Sequence, residues 1–332
     1  MQLKTKAKTG RARRILGLGF LAGTLLALGS CRSQEVAAGG GVVATTAMIG
    51  DVAREIADGA VPVEVLMSAG VDPHLYKATA TDVRKLSAAR LILYNGLKLE
   101  GTMGDLFGKL SAQGIATSAV AEKVSWEGGA VLDAEEGHPD PHLWMDVSAW
   151  RAVAGKIGAE LAAAFPEEAE RFAANLAAYD EELRALDEYA RESLASIPEG
   201  SRVLVTAHDA FGYLAKAYGI EVLGIQGIST ESEAGLKDLE DLIDLIVERK
   251  IPAVFVESSV SQKNVRALIE GAAARGHQVS IGGELFSDAM GPAGSYEGTY
   301  LGMIDHNVTL ITRALGGVAP EKGRLGKLAS GE

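Results

Sequence analysis

Residues 202–225 read RVLVTAHDAFGYLAKAYGIEVLGI. The runs Arg202 to Thr206 and Glu221 to Ile225 are short, apolar and rich in β-branched side chains, so each reads as a strand. Asp209 to Ala217 reads as the helix between them. Strand, helix, strand in this order implies parallel pairing under helical cover on both faces. The pattern continues downstream with strands at Ala253 to Glu257 and His277 to Ile281, and helices at Leu236 to Arg249 and Gln262 to Ala274. A first series precedes it. Strands are expected at Val42 to Met48, Val61 to Leu66, Arg90 to Tyr94 and Ile115 to Ala119, with helices at Ile49 to Ala57 and Thr79 to Ala89. The fold class is α/β with mainly parallel sheets.

One long helical stretch, Pro166 to about Ser196, lies between the two series. Pro166 suits a first-turn position. Phe172, Leu176, Tyr179, Leu183 and Leu186 step by four and three residues and give one apolar stripe. Glu167, Glu168 and Glu170 near its start complement the helix dipole. At 1.5 Å per residue it spans roughly 45 Å, enough to run the height of two lobes and connect them.

The first thirty residues read as an export signal. Lys4, Lys6, Lys8, Arg11, Arg13 and Arg14 form a basic region, and Ile15 to Leu28 form an apolar run too short for a comfortable bilayer span. The run ends at Leu28-Gly29-Ser30-Cys31, which has the form of a bacterial lipobox, so Cys31 is the expected lipidation site. It is the only cysteine, which excludes a disulfide within the chain and a thiolate metal ligand. Removing residues 1–30 removes six positive charges and no negative ones, taking the formal net charge from −12 to −18. That balance argues against nucleic acid, whose phosphates select basic faces. Gly-rich residues 37–41 read as a flexible tether. The expected organisation is signal peptide 1–30, lipid-anchored tether 31–41, N-terminal lobe 42–165, linking helix 166–197 and C-terminal lobe 198–332.

Of six histidines, two stand in the repeated tripeptide Asp-Pro-His, at Asp72-Pro73-His74 and Asp140-Pro141-His142, and a third heads His208-Asp209. The intervals of 68 and 66 residues are far too long for a local zinc finger. Such histidines must converge from separate loops of a folded α/β scaffold to make a metal site.

Six motifs then occur in order: the lipobox Cys31, Asp72-Pro73-His74, residues 140–146 (DPHLWMD), residues 206–211 (TAHDAF), residues 255–259 (FVESS) and residues 283–288 (GELFSD). Together they resemble the metal-binding lipoproteins of ABC importers for zinc and manganese, the cluster that includes the TroA, PsaA and ZnuA types. The resemblance covers essentially the whole chain after the signal. It implies two β/α lobes joined by a rigid helix, with one Zn2+ or Mn2+ ion as cargo in the cleft between them. Carried over position by position, it implies His74 and His142 as ligands from the first lobe, and His208 and Asp288 from the second. Three histidines and one aspartate mark the TroA type. It also implies an ABC permease as partner, an extracytoplasmic location, a monomer and no enzymatic activity.

The chemistry of these residue types fits. Three neutral imidazoles and a carboxylate form an N3O set suited to tetrahedral Zn2+. Asp72, Asp140, Asp209 and Glu257 are candidates to orient the imidazoles through their second nitrogens. His138 reads as a solvated or capture residue, His277 and His306 as structural, and Trp144 as packing beneath the site. Histidine rather than glutamate at 208 favours zinc. The segment Ser125 to Pro139 is short and acidic with His138 alone, unlike the His-rich loop of the ZnuA type, and leaves manganese open. Little lobe motion is expected across a rigid helix, and release is expected to need the permease. Two readings of other classes compete. A secreted zinc-dependent hydrolase would use three histidines, an open position and Glu257 as base. A surface adhesin would need binding to a partner independent of metal.

Overall fold

The computed structural model describes residues 40–127, 129–132 and 139–329. The export signal, Cys31, most of the tether and His138 lie outside the described residues. The first series comprises β1 (Val42–Ala44), α1 (Ala47–Ala57), β2 (Val63–Val65), α2 (Ala80–Ala88), β3 (Leu91–Tyr94), α3 (Gly104–Ala112) and β4 (Ala116–Ala119). Two helices follow, α4 (Val147–Ala164) and α5 (Ala169–Ala195). The second series is β5 (Val203–His208), α6 (Gly212–Tyr218), β6 (Glu221–Gln226), α7 (Leu236–Arg249), β7 (Ala253–Glu257), α8 (Lys263–Ala274), β8 (Ser280–Leu285) and α9 (Tyr300–Ala314).

The first sheet is fully parallel in the order β2-β1-β3-β4, with Val42 opposite both Val63 and Leu91. In the second half β5 pairs with β6 and β7 with β8, again parallel, and β5 lies beside β7. Local chemistry sets several boundaries. Thr79 and Asp82 form a reciprocal capping box that starts α2. Gly219, at φ +70°, closes α6 in the left-handed conformation and lets β6 begin two residues later.

The structure differs from expectation at three points. The apolar run 42–48 is a strand only to Ala44, and Thr46 stands at the N-terminus of a helix that already contains Met48 and Ile49. A fully buried apolar run does not distinguish strand from buried helix. The last strand is not 277–281 but Ser280–Leu285. It carries Gly282 and Gly283, poor strand formers. A Cβ on Gly282 would meet the Phe255 ring at 2.7 Å, and one on Gly283 would meet Leu310 at 2.6 Å, so close packing requires both glycines. Finally, the expected series contains no counterpart of α3 or α4.

The long helix is present, with Pro166 opening a 3-10 turn ahead of α5. Phe172, Tyr179, Leu183 and Leu186 of its stripe are buried, and the partly buried Leu176 packs against Gly158 of α4. The helix packs against α1, α4 and α9. One core therefore runs from Val42 through Trp150 and Leu183 to Phe255 and Ile311, continuous across both halves. The described residues belong to one compact unit. Among them, no helix is long and apolar enough to cross a membrane.

Candidate metal centre

His74 stands in the connection from β2 to α2. Asp72 Oδ1 accepts from the His74 backbone N–H at 2.8 Å, and Pro73 restricts the turn between them. Within DPHLWMD the two aspartates divide the work. Asp140 Oδ1 accepts from the His142 backbone at 2.9 Å and pairs with its Nδ1 at 2.7 Å, while Asp146 caps α4 by accepting from Ser148 and Ala149. The intervening Leu143–Met145 forms a buried 3-10 turn. Asn95, at the end of β3, donates to the Pro141 carbonyl at 3.1 Å and fixes this loop to the first sheet.

His208 is the last residue of β5 and Glu257 the last of β7, so neighbouring strand ends bring them together. Glu257 accepts from the His208 backbone at 2.9 Å through Oε1 and pairs with Nδ1 at 2.5 Å through Oε2. Asp288 follows β8. Its loop is pinned by Asn307 of α9, which both accepts from the Phe286 N–H and donates to the Phe286 carbonyl. The ends of two neighbouring parallel strand pairs thus present His208 and Asp288, as open α/β sheets present ligand groups.

His74, His142, His208 and Asp288 come together in a buried cluster whose donor atoms lie within 4.8 Å of one another. His74 Nε2 is 3.4 Å from His142 Nε2 and 3.5 Å from Asp288 Oδ2. Asp288 Oδ1 is 3.2 Å from His142 Nε2, and Oδ2 is 3.2 Å from His208 Nε2. A tetrahedron with metal–ligand bonds of 2.0–2.1 Å has edges of about 3.3–3.4 Å. His208 Nε2 and both Asp288 oxygens are buried without a hydrogen-bond partner, although they are close in space. This donor set fits a divalent cation, which would satisfy all of them at once.

Electrostatics agree. Burial lowers His74 to about 4. Burial pulls His142 the same way, but the Asp288 and Asp140 carboxylates outweigh it and raise the imidazole to about 9. His208 is likewise raised, by Glu257 and Asp288 against its burial. Burial opposes ionisation of Asp288, yet His208 and His142 hold it well below the usual carboxylate range. The anionic pocket therefore attracts positive charge, either protons or a metal ion.

Of the four carboxylates expected to orient imidazoles, Asp140 and Glu257 do so. Asp72 instead holds the His74 backbone, because its Oδ1 is turned to the main-chain N–H two residues on. At His208 it is Glu257, not the adjacent Asp209, that occupies Nδ1, and the Asp209 N–H bonds the Gln226 carbonyl. His277 and His306 bond the Ile251 and Glu284 carbonyls through Nε2, which bears out their structural reading. Trp144 does more than pack: its indole donates to the Ser287 carbonyl. Asn95 and Asn307 were not singled out by the sequence, since an asparagine that braces a distant loop carries no local signal.

Two β/α halves with a buried N3O cluster between them define a metal-binding protein of the solute-binding class. Residues 42–314 match the family described as zinc-uptake complex component A, periplasmic. The chain belongs to this ZnuA family. It is 48% identical over 303 residues to the zinc-binding protein TroA of Treponema pallidum, covering 91% of this chain and 96% of that protein. It is also 48% identical over 275 residues to the manganese-binding lipoprotein MntA of Bacillus subtilis, covering 82% and 89%. The solved structure of the periplasmic zinc-binding protein TroA superposes with a TM-score of 0.81 at 49% identity, covering 83% of this chain and 99% of that one.

Proposed function

We propose that this chain captures one divalent transition-metal ion, Zn2+ or Mn2+, outside the cytoplasm and delivers it to the permease of an ABC importer. His74, His142, His208 and Asp288 are the ligands. The observation that carries this reading is the buried cluster of donor atoms, all within 4.8 Å of one another, with four separations of 3.2–3.5 Å close to the edges of a tetrahedral site. By the Irving–Williams trend the site holds Zn2+ more tightly than Mn2+ whichever is the cargo in the cell.

The layout that accompanies this reading is a signal peptide 1–30, a tether 31–41 anchored through lipid at Cys31, lobes 42–165 and 198–332, and the linking helix 166–197. The lipobox supports the anchor, as does the description of MntA as a lipoprotein. The chain acts as a monomer. Release requires the permease to bias the two halves apart or to disturb Asp288. The family is one of solute-binding transport components rather than enzymes. Glu257 has both oxygens engaged by His208, so it does not serve as the free base that a zinc hydrolase would require.

Calorimetric titration of the metal-stripped protein with Zn2+, and separately Mn2+, tests the reading. One ion per chain, with binding lost or much weakened in Asp288→Ala, is the expected result. Absence of stoichiometric binding overturns the site. Tight binding that survives Asp288→Ala leaves three histidines with an open position and revives the hydrolase. Unchanged metal retention in the presence of the reconstituted, transporting permease would count against the release step.

A further inference from the structure

The three histidines are held in two different ways. The Nδ1 atoms of His142 and His208 each face a carboxylate, at 2.7 Å from Asp140 and 2.5 Å from Glu257, which clamps both rings. Among the described residues, no carboxylate pairs with Nδ1 of His74. Its hold is on the main chain, where Asp72 Oδ1 accepts from the His74 N–H at 2.8 Å. The other oxygen of the same carboxylate, Asp72 Oδ2, accepts from the Thr230 hydroxyl at 2.6 Å across 158 residues of sequence. Thr230 belongs to the connection between β6 and α7, in the opposite half of the molecule.

The surroundings give that relay its weight. A cavity of about 460 Å3 reaches His74 and is lined on one side by Ile228, Ser229 and Ser232 of the same connection. A second, of about 200 Å3, borders Asp72 and Thr230 themselves. The pair thus faces open space as well as packed core, so hydrogen bonds contribute to keeping the connection down on the His74 loop. The bond is charge-assisted, an O–H donating to a half-buried carboxylate. Without the hydroxyl, Asp72 loses one of its two fixed donors and is free to turn toward water, which loosens its grip on the His74 backbone.

We propose that Thr230 is a positioning residue for metal retention: acting through Asp72, it holds the His74 loop in its ligating arrangement from the opposite half and so sets the rate at which the ion leaves. This rests on the metal-capture reading above and adds a residue to it that touches no ligand side chain.

The experiment loads the protein with Zn2+, mixes it with excess chelator and follows release by stopped flow. Thr230→Val is nearly isosteric and removes the donor, and release roughly tenfold faster is expected, in line with loss of an outer hydrogen-bond partner of a metal ligand. Thr230→Ser keeps the hydroxyl and is expected to restore slow release. In an Asp72→Ala background Thr230→Val is expected to add nothing further, because the two act as one unit. Metal-free melting of Thr230→Val at the wild-type temperature separates positioning from loss of fold, and Thr230→Ala carries the same comparison should the valine variant melt early. Release from Thr230→Val at the wild-type rate overturns the proposal, as does an undiminished effect in the Asp72→Ala background. Wild-type protein that takes up no Zn2+ fails the capture reading itself, whereas normal uptake with unchanged release in Thr230→Val fails the relay alone.

Discussion

The indole Nε1 of Trp144 donates to the Ser287 carbonyl at 2.8 Å, joining residues 143 positions apart in the chain. Trp144 follows His142 by two residues and Ser287 directly precedes Asp288, so the bond ties together the two loops that carry these proposed ligands. The ring also meets His142 edge-on, with centroids 5.2 Å apart. Trp144→Phe retains an aromatic ring and loses the donor. Zn2+ affinity is expected to fall about tenfold, with a stability loss of about 1–3 kcal/mol for the unpaired carbonyl. Calorimetric titration and denaturant unfolding of the same sample check both.

Glu257→Gln addresses the tautomer of His208. The glutamate accepts from both the backbone and Nδ1 of His208. In the variant, if the amide oxygen keeps the backbone bond, the amide NH2 faces Nδ1 and moves the imidazole proton to Nε2, the proposed ligand atom. Affinity is expected to fall about 10- to 100-fold with the fold intact. Competition against a chelator of known affinity measures it, and an unaltered dissociation constant contradicts the assigned role.

The stability of the metal-free protein and its affinity for metal depend on pH with opposite signs. In the metal-free protein Asp288 and Asp140 overcome burial and raise His142 to about 9 from 6.5, so its proton contributes stability fully present below about 6.5 and lost as pH rises through about 9. Metal displaces that proton, since only deprotonated imidazole ligates. Affinity therefore falls on acidification by up to about tenfold per pH unit for each proton displaced. His74, held near 4 by its burial, adds to the loss only in stronger acid. The rise in melting temperature on adding saturating Zn2+ is expected to grow from about pH 6.5 to about pH 9. Paired melts across that range test it, and a rise that shrinks with pH contradicts the charge balance of the cluster.

Helix α5 is not a free hinge. Leu183 and Leu186 are fully buried in the core shared by both halves. Leu183→Ala is expected to cost about 2–5 kcal/mol through lost burial and the cavity left behind. Thermal or denaturant unfolding reads this directly.

For the same reason, the scattering profiles of metal-free and loaded protein are expected to differ little. A large contraction on adding Zn2+ would show that the helix bends or the shared core parts.

Some elements were legible locally. Helix Leu236–Arg249 and strand Ala253–Glu257 occur with the bounds their apolar patterns suggest. The last strand was not legible, because its glycines are favoured by Phe255 and Leu310 pressing from outside the segment. Nor was the start of α1, where apolar residues buried all round carry no period.

The sequence by itself determined the donor types and their local turns. Asp-x-His can place a carboxylate only near its own histidine, and two such tripeptides with a later His-Asp already specify an oxygen and nitrogen site without thiolates. Only the tertiary structure decided which carboxylate serves which atom. Asp140 turns to an imidazole nitrogen, whereas Asp72 in the same tripeptide turns to a backbone N–H and to Thr230 across the molecule. Asp209, adjacent to His208, gives way to Glu257 because β7 lies beside β5 and brings that carboxylate to the strand end. Hydrogen-bond partners are chosen by distance and direction in space, and these depend on how strands and loops far apart in the chain are packed together.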